Sequence, residues 1–218
     1  MGAKVLIVDD HPAVREGLAV RIAAQPDLQV CGQAADVTEA IKLIEADPPD
    51  VVVVDVQLKT GNGLDLIARI KSYDKSIRIL VWSMYPDQLY AERALRAGAL
   101  GYINKEHTTG RIVEAIRRVR DGKTYLCEET AEELLGQAVG RGGQVKSSGV
   151  ESLSDCELEV FRLIGQGLST SQIAQRLYRS IHTVEAHRQK IKGKLHLKSA
   201  SELNRAAVQW MLETNRDS

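Results

Sequence analysis

Short runs of β-branched residues alternate with segments of helical period over residues 1–122. The runs predict five strands, at residues 5–8, 28–31, 51–54, 77–81 and 101–103. Apolar residues three or four positions apart predict five helices between and after them, around Leu18, Ile41, Ile67, Leu95 and Ile116. Because parallel strands need crossover connections, this alternation predicts an α/β fold with a doubly wound, five-stranded parallel sheet covered by helices on both faces.

A glycine-rich segment follows this region. Residues 136–150 contain five glycines and two serines with little apolar periodicity, which indicates a flexible linker. A helix predicted at 128–135 could belong to either side of it. We therefore expect a first domain at 1–122, a helix and linker at 123–150, and a second domain at 151–218.

The second domain has a wholly helical pattern. Ser154 with Glu157, and Ser169 with Gln172, have the spacing of capping boxes and mark two helix starts. A third helix is predicted after Ser180 and a fourth over 201–212. Two helices separated by a short turn at 178–180 predict a helix-turn-helix, so the second domain is a smaller, all-α unit.

Length and composition fit this organisation. The chain has 218 residues, and at ~150 residues per domain two domains are expected. The hydrophobic share of 44% and charged share of 27% are typical of globular proteins and argue against disorder. No apolar run approaches the ~20 residues that span a bilayer, and no export signal is visible. The three cysteines lack zinc-ligand spacing, so we expect a cytoplasmic protein with no membrane partner.

Charge is distributed unevenly although the net charge is zero, with 29 basic and 29 acidic residues. Residues 1–135 carry 17 basic against 21 acidic residues, a net of −4, whereas residues 151–218 carry 10 against 8, a net of +2. Within 176–198, seven basic residues accompany a single acid, Glu185. This excess favours a polyanion as partner, while a solvated helix face remains the alternative.

Carboxylates follow two of the predicted strands. Asp9 and Asp10 follow the first strand and Asp55 follows the third, and the carboxyl ends of parallel strands meet at one sheet edge. Three carboxylates there would repel one another unless a divalent cation lay among them, and Mg²⁺ prefers such oxygen ligands. Ser83 and Lys105 follow the fourth and fifth strands, where a hydroxyl and an ammonium could bind phosphoryl oxygens.

Residues 3–122 resemble the receiver domain of two-component response regulators, which has a flavodoxin-like fold. The matching positions are Asp9, Asp10, Asp55, Ser83, Tyr102 and Lys105. The resemblance implies that Asp10 and Asp55 bind Mg²⁺ directly, that Asp9 assists through water, and that the backbone carbonyl of Gln57 completes the protein ligands.

The same resemblance assigns the phosphorylation chemistry. Asp55 would be the nucleophile that accepts a phosphoryl group from a sensor histidine kinase, and Lys105 and Ser83 would hold the phosphate. Ser83 and Tyr102 would form the conformational switch, with Ser83 moving toward the phosphate and Tyr102 entering the vacated space. Lys59, where the family often has proline, departs from the pattern in the loop after Asp55.

Residues 153–203 look like the LuxR-type DNA-binding domain of the NarL/FixJ response regulators. The matching residues include Leu153, Ser154, Glu157, Gly167, Ile173, Ala174, Thr183, Val184, His187, Ile191, Lys194 and Leu195, with departures at Cys156 and Glu185. The helix after Ser180 would be the recognition helix. Its predicted DNA-binding residues are Thr183, Glu185, Arg188, Gln189, Lys192 and Lys194, with Gln189 suited to adenine and Arg188 to guanine or phosphate.

Glu185 is open to two interpretations. It could complement the dipole at the start of the recognition helix. Alternatively, it could accept a hydrogen bond from a cytosine amino group and disfavour other DNA sequences through repulsion of phosphates.

We expect a transcription factor whose DNA binding is controlled by phosphorylation of Asp55, not an enzyme. Its expected partners are a sensor histidine kinase and double-stranded DNA, bound as a homodimer, with RNA polymerase as a further candidate. Dimerisation and release of the recognition helix are both open as switch mechanisms. One alternative is a metal-dependent phosphatase, but no carboxylate lies two residues after Asp55 and the short connections leave little room for a lid. A lone CheY-like module conflicts with the C-terminal half.

Overall fold

The computed structural model describes residues 2–58, 61–85, 87–106, 110–138 and 149–214. The chain divides into two compact units, Met1–Gly142 and Gly143–Ser218. Lys59 and most of the predicted linker, residues 139–148, lie outside the described residues. Among the described helices, none combines the length and the apolar character needed to cross a membrane.

The first unit contains a five-stranded parallel sheet with strand order β2-β1-β3-β4-β5. The strands are β1 Ala3–Val8, β2 Leu28–Ala34, β3 Val51–Val54, β4 Arg78–Ser83 and β5 Gly101–Asn104. This confirms the predicted fold class. The edge strand β2 runs three residues beyond the predicted end, because its backbone pairing to β1 continues past a register shift, through Gly32, Gln33 and Ala34.

In the described part of this unit, six helices accompany the sheet: α1 Pro12–Ala23, α2 Val37–Ala46, α3 Gly63–Tyr73, α4 Asp87–Ala97, α5 Ile112–Arg120 and α6 Glu128–Ala138. Asp36 caps α2 and Asn62 caps α3 by accepting hydrogen bonds from backbone amides in the first turn. Helix α6 contacts α4, which assigns it to the first unit. A β-carbon at Gly63 would overlap the carbonyl oxygen of Asp55, so glycine permits the tight return of the chain after β3.

The core of the first unit lies on both faces of the sheet. All four residues of β3 are buried, as the continuous apolar run predicted for a central strand. One face packs against α1 and α5 through residues such as Leu18, Ile22, Ile116 and Val119. This packing holds the strand ends, and the polar side chains that follow them, in a rigid frame.

The second unit is helical. A short 3₁₀ turn, Val150–Ser152, precedes α7 Asp155–Gly165, α8 Thr170–Arg176, α9 Ile181–Lys194 and α10 Ala200–Thr214. Both predicted capping boxes form, and Ser180 caps α9. Buried apolar residues from all four helices make the core: Leu158, Phe161, Ile173, Val184, Ile191, Leu203 and Trp210. The arrangement of α8 and α9 is the predicted helix-turn-helix.

Candidate functional site

Backbone pairing brings the residues that follow the strands to one edge of the sheet. The amide of Asp55 donates to the carbonyl of Val8 at 2.8 Å, and the amide of Lys105 donates to the carbonyl of Ser83 at 2.8 Å. The first residues after β1, β3 and β5 therefore stay in register with their neighbouring strands. Parallel topology alone predicts this convergence.

Side-chain contacts at this edge are short and buried. Lys105 Nζ lies 2.5 Å from Asp9 Oδ2 and 2.6 Å from Asp55 Oδ2, and Ser83 Oγ donates to Asp55 Oδ1 at 2.6 Å. The side chains of Asp9, Asp55 and Lys105 are 2%, 4% and 7% exposed. Both carboxylate oxygens of Asp55 are therefore engaged by a hydrogen-bond donor. The amide of Gln57 also donates to Asp55 Oδ1, at 3.3 Å.

One member of the cluster was absent from the sequence prediction. Oxygens of Asp9, Asp10 and Asp55 and a ring nitrogen of His11 all lie within 4.8 Å of one another. His11 also precedes α1 as its N-cap residue, and its amide donates to Asp9 Oδ1 at 2.8 Å. Its signal in the sequence is its position directly after the acidic pair at the end of β1, because imidazole is a common metal ligand.

The donor set fits a divalent cation. Asp10 Oδ1 is buried and receives no hydrogen bond within the described residues, although His11 Nδ1 lies 2.8 Å away. A buried carboxylate oxygen without a well-aligned hydrogen bond is unfavourable, and a metal ion would satisfy it. Lys105 supplies one positive charge against the carboxylates of Asp9 and Asp55, so the pocket stays electronegative.

The ionisation of the pair at the centre of the pocket follows from its surroundings. Burial raises the pKa of the Asp55 carboxyl, the Lys105 ammonium opposes that rise, and the neighbouring Asp9 charge adds to it. Burial by itself would lower the pKa of Lys105, but Asp55 and Asp9 together raise it. Lys105 therefore remains a cation at neutral pH and is available to bind an anion.

Tyr102 already lies in the interior. It is fully buried, and its hydroxyl donates to the backbone carbonyl of Tyr85 at 2.9 Å, while Asn104 Nδ2 donates to the same carbonyl at 3.1 Å. Burial raises the pKa of Tyr102 well above 10.0, so the phenol stays a neutral donor. The expected entry of Tyr102 into space vacated by Ser83 therefore stays a prediction, and in this structure the ring is inside while Ser83 still contacts Asp55.

The side chain of Gln57, two residues after Asp55, also has a hydrogen-bond partner. The hydroxyl of Tyr85 donates to Gln57 Oε1 at 3.0 Å, and the Tyr85 ring stacks on Tyr90 of α4 with 4.6 Å between centroids. Tyr85 and Tyr90 were not singled out from the sequence, because their local signal is only their proximity to Ser83 along the chain, and for Gln57 the prediction concerned the backbone carbonyl rather than this side-chain contact. The side chain of Gln57 is thereby held beside the carboxylate site.

Helix α9, the predicted recognition helix, presents polar residues to solvent. Gln189 and Lys190 are exposed, and Thr183, Glu185 and Lys192 are partly exposed. Val184 and Ile191 are buried and fix the opposite face against the core. This face has the mixed basic and amide character suited to phosphates and base edges.

Two of the cationic residues among the predicted DNA contacts, Lys194 and Arg188, have partners inside the unit. Lys194 Nζ lies 2.6 Å from Glu157 Oε2 and donates to the carbonyl of Ser152 at 2.9 Å. The side chain of Arg188 is only 12% exposed, and its guanidinium donates to Asn204 Oδ1 at 3.4 Å. Both residues would have to leave these partners to reach DNA.

Comparison with known proteins supports both halves of the chain. Residues 5–117 match the model of the response regulator receiver domain, and residues 151–207 match that of the luxR family of bacterial regulatory proteins. The chain is a LuxR-type response regulator. It therefore belongs to the NarL/FixJ group predicted from the sequence, with a receiver domain and a DNA-binding domain of the helix-turn-helix class.

Relatives match over almost the whole regulator. The oxygen regulatory protein NreC of Staphylococcus carnosus is 36% identical over 213 residues, covering 96% of this chain and 98% of NreC. RcsB from Salmonella enterica serovar Typhimurium, bound to a promoter in the presence of the phosphomimetic BeF₃⁻, is 25% identical with a TM-score of 0.64, covering 95% and 98% of the two chains. A structure of two RcsB dimers on two parallel DNAs is 25% identical with a TM-score of 0.57, covering 94% and 98%.

Proposed function

We propose that Asp55 accepts a phosphoryl group from a sensor histidine kinase and that its phosphorylation controls DNA binding by the C-terminal domain. The observation that carries this proposal is the buried Asp55 carboxylate with Ser83 on one oxygen and Lys105 on the other. A hydroxyl and an ammonium together suit the oxygens of a transferred phosphoryl group.

The reaction is an in-line transfer. An oxygen of Asp55 attacks the phosphorus of a phosphohistidine, the phosphorus–nitrogen bond breaks, and the leaving imidazole takes up a proton. Asp55 Oδ2 accepts only from Lys105 among the described residues, so it keeps a second lone pair for the attack. Ser83 and Lys105 would then bind oxygens of the attached phosphoryl group, which couples phosphorylation to movement at the ends of β4 and β5.

Mg²⁺ is the proposed cofactor. Asp10 and Asp55 would hold it directly, Asp9 would assist, and the backbone carbonyl of Gln57 would complete the protein ligands. A hard dication would offset the carboxylate charges and those of the incoming phosphoryl oxygens. Support comes from the gathered oxygens of the three aspartates and from the buried Asp10 Oδ1, which lies 2.8 Å from His11 Nδ1 but receives no well-aligned hydrogen bond within the described residues.

The proposed output is regulated transcription in the cytoplasm, where the chain would bind double-stranded DNA as a homodimer and could contact RNA polymerase. The promoter-bound RcsB and the RcsB dimers on DNA support this by likeness. Gln189 and Lys192 are the residues of α9 that we propose to contact DNA without loss of an internal partner, whereas the Thr183 hydroxyl would give up its contact with Ser180 Oγ. We assign the receiver to 1–122, a helix and linker to 123–150, and the DNA-binding domain to 151–218.

The test is phosphorylation by a small phosphodonor in the presence and absence of Mg²⁺. Asp55→Asn should abolish Mg²⁺-dependent labelling, because the amide cannot form an acyl phosphate at this position. Asp65→Asn, an exposed residue of α3, is the matched control and should be labelled like the wild type. Labelling of Asp55→Asn at wild-type yield with one base-labile phosphoryl group would show that another residue is the acceptor.

A further inference from the structure

A line of side-chain contacts crosses the DNA-binding domain near the start of the recognition helix. Thr170 Oγ1, at the first residue of α8, donates to Glu185 Oε1 at 2.8 Å. The same carboxylate oxygen lies 3.8 Å from Arg188 Nε, and Arg188 donates onward to Asn204 of α10. These contacts join α8, α9 and α10 through one acidic side chain.

Within this line of contacts, the side chains of Arg188 and Glu185 differ in exposure to solvent. The Arg188 side chain is 12% exposed, whereas that of Glu185 is 47% exposed. Arg188 therefore lies behind the surface, and the polar group presented to solvent is the carboxylate. A residue whose only role is to neutralise Arg188 would gain more by lying beside it at shorter distance, since an ion pair at 3.8 Å is weak in water.

The two oxygens of Glu185 are not equivalent. Oε1 accepts the Thr170 hydroxyl and lies on the side of Arg188, whereas Oε2 has no hydrogen bond among the described residues. A carboxylate is an acceptor only, so Oε2 accepts from water in the free protein and needs another donor where DNA displaces that water. Phosphate oxygens offer none and repel it.

The edges of the bases narrow the choice of donor. In the major groove, cytosine presents an N4 amino group, and adenine presents an N6 amino group beside the N7 acceptor. Because the N7 lone pair of adenine would repel a carboxylate, cytosine is the better match. Glutamate is among the side chains whose geometry suits cytosine N4.

We propose that Thr170 and Glu185 form a cytosine-reading pair, in which Glu185 contacts the base and Thr170 is a positioning residue that fixes the carboxylate. This rests on the proposed function, namely DNA binding through α9. Thr170 thereby influences sequence choice from α8, although it need not contact DNA. Fixing Glu185 before binding avoids ordering a flexible side chain at the interface, which favours the matched sequence.

The experiment measures base preference with the full-length chain. Wild type, Glu185→Gln, Thr170→Val and Thr170→Ser are incubated with a library of randomised duplexes at fixed salt, and the bound sequences are read. Glu185→Gln should lower the preference for cytosine at one position by about tenfold. Thr170→Val, which removes the donor and keeps the branched shape, should lower it at the same position by about threefold to tenfold. Thr170→Ser, which keeps the hydroxyl, should retain it.

The base position at which the preference changes distinguishes this proposal from a purely structural role of Thr170, because a weakened fold would reduce binding to all duplexes alike. A Thr170→Val variant with the wild-type preference overturns the cytosine-reading pair and leaves DNA binding intact. If Thr170→Val changes the preference at a base position other than the one that Glu185→Gln affects, the proposal is overturned too. If the wild-type chain selects no duplex at all, the proposed function itself fails. If Thr170→Val does not fold, the comparison of Glu185→Gln with wild type still decides whether cytosine is read.

Discussion

Replacement of Lys194 by methionine should destabilise the DNA-binding domain rather than weaken its contact with DNA. The Lys194 ammonium bonds to Glu157, whose side chain is only 5% exposed, and to the carbonyl of Ser152. The same Glu157 oxygen accepts the amide of Ser154 in the capping box at the start of α7. Lys194 therefore links the C-terminal end of α9 to the segment that leads into α7.

The expected size follows from these contacts. A hydrogen bond to a charged group contributes about 1.5–3 kcal/mol, and its loss leaves a buried carboxylate with fewer donors. Lys194 is 39% exposed, so solvent screening reduces the effect. We expect the free energy of unfolding to fall by about 1–2 kcal/mol for Lys194→Met. Lys192→Met on the same helix should change it by no more than about 0.5 kcal/mol, since Lys192 has no hydrogen bond or ion pair within the described residues.

Dependence on pH gives a second measure of the same contact. Burial opposes ionisation of Glu157, but Lys194 and the Ser154 amide hold the pKa of this carboxyl below its usual 4.5. The stabilisation is therefore present above pH 4.5 and is lost as the pH falls through the lower value of the folded state. Lys194→Met should lose less stability than the wild type over this acid range.

Urea unfolding of the full chain, followed by tryptophan fluorescence, can isolate the domain. The chain has two tryptophans, and Trp82→Phe would leave Trp210, which packs on Phe161 with 5.5 Å between centroids, as the reporter of the second unit. Equal midpoints for Lys194→Met and Lys192→Met in this background would refute the reasoning. In DNA titrations, Lys192→Met should lower the salt slope by about one, and Lys194→Met should leave it unchanged.

Three further predictions concern the receiver domain. Asp27→Asn should lower the stability of the receiver domain at neutral pH and flatten the acid dependence of that stability, followed by Trp82 fluorescence. The reason is that two arginines hold the pKa of Asp27 below 3.8, so the stabilisation by the Asp27 carboxylate is lost only as the pH falls through the pKa of the folded state. Mg²⁺ at 100 times its Kd should raise the free energy of unfolding by about 2.7 kcal/mol, and Asp10→Asn should remove most of this gain in a urea titration. Tyr102→Phe should lower stability by about 1 kcal/mol through loss of the hydrogen bond to the Tyr85 carbonyl, and an unchanged midpoint would contradict it.

Much of the fold was determined by local patterns in the sequence. The alternation of β-branched runs and helical periods predicted every strand of the sheet, and two capping boxes marked the starts of α7 and α8. These signals are local, since a cap bonds within four residues and a strand pattern reflects its own burial. The gathering of Asp9, Asp55, Ser83 and Lys105 was also predictable, because parallel topology brings strand ends to one edge whatever the details of packing.

Only the tertiary structure decided which partner each of these side chains takes. His11 beside the acidic pair, the Tyr85 contact with Gln57, and the inward position of Tyr102 depend on how loops and rings pack after the sheet has formed. In the DNA-binding domain, Arg188 and Lys194 have the sequence pattern of solvent-facing cations. The Arg188 guanidinium nevertheless bonds to a residue 16 positions away, and the Lys194 ammonium bonds to a residue 37 positions away. Periodicity places a residue on a helix face but does not specify which side chain of another helix it meets, because that depends on interhelical packing.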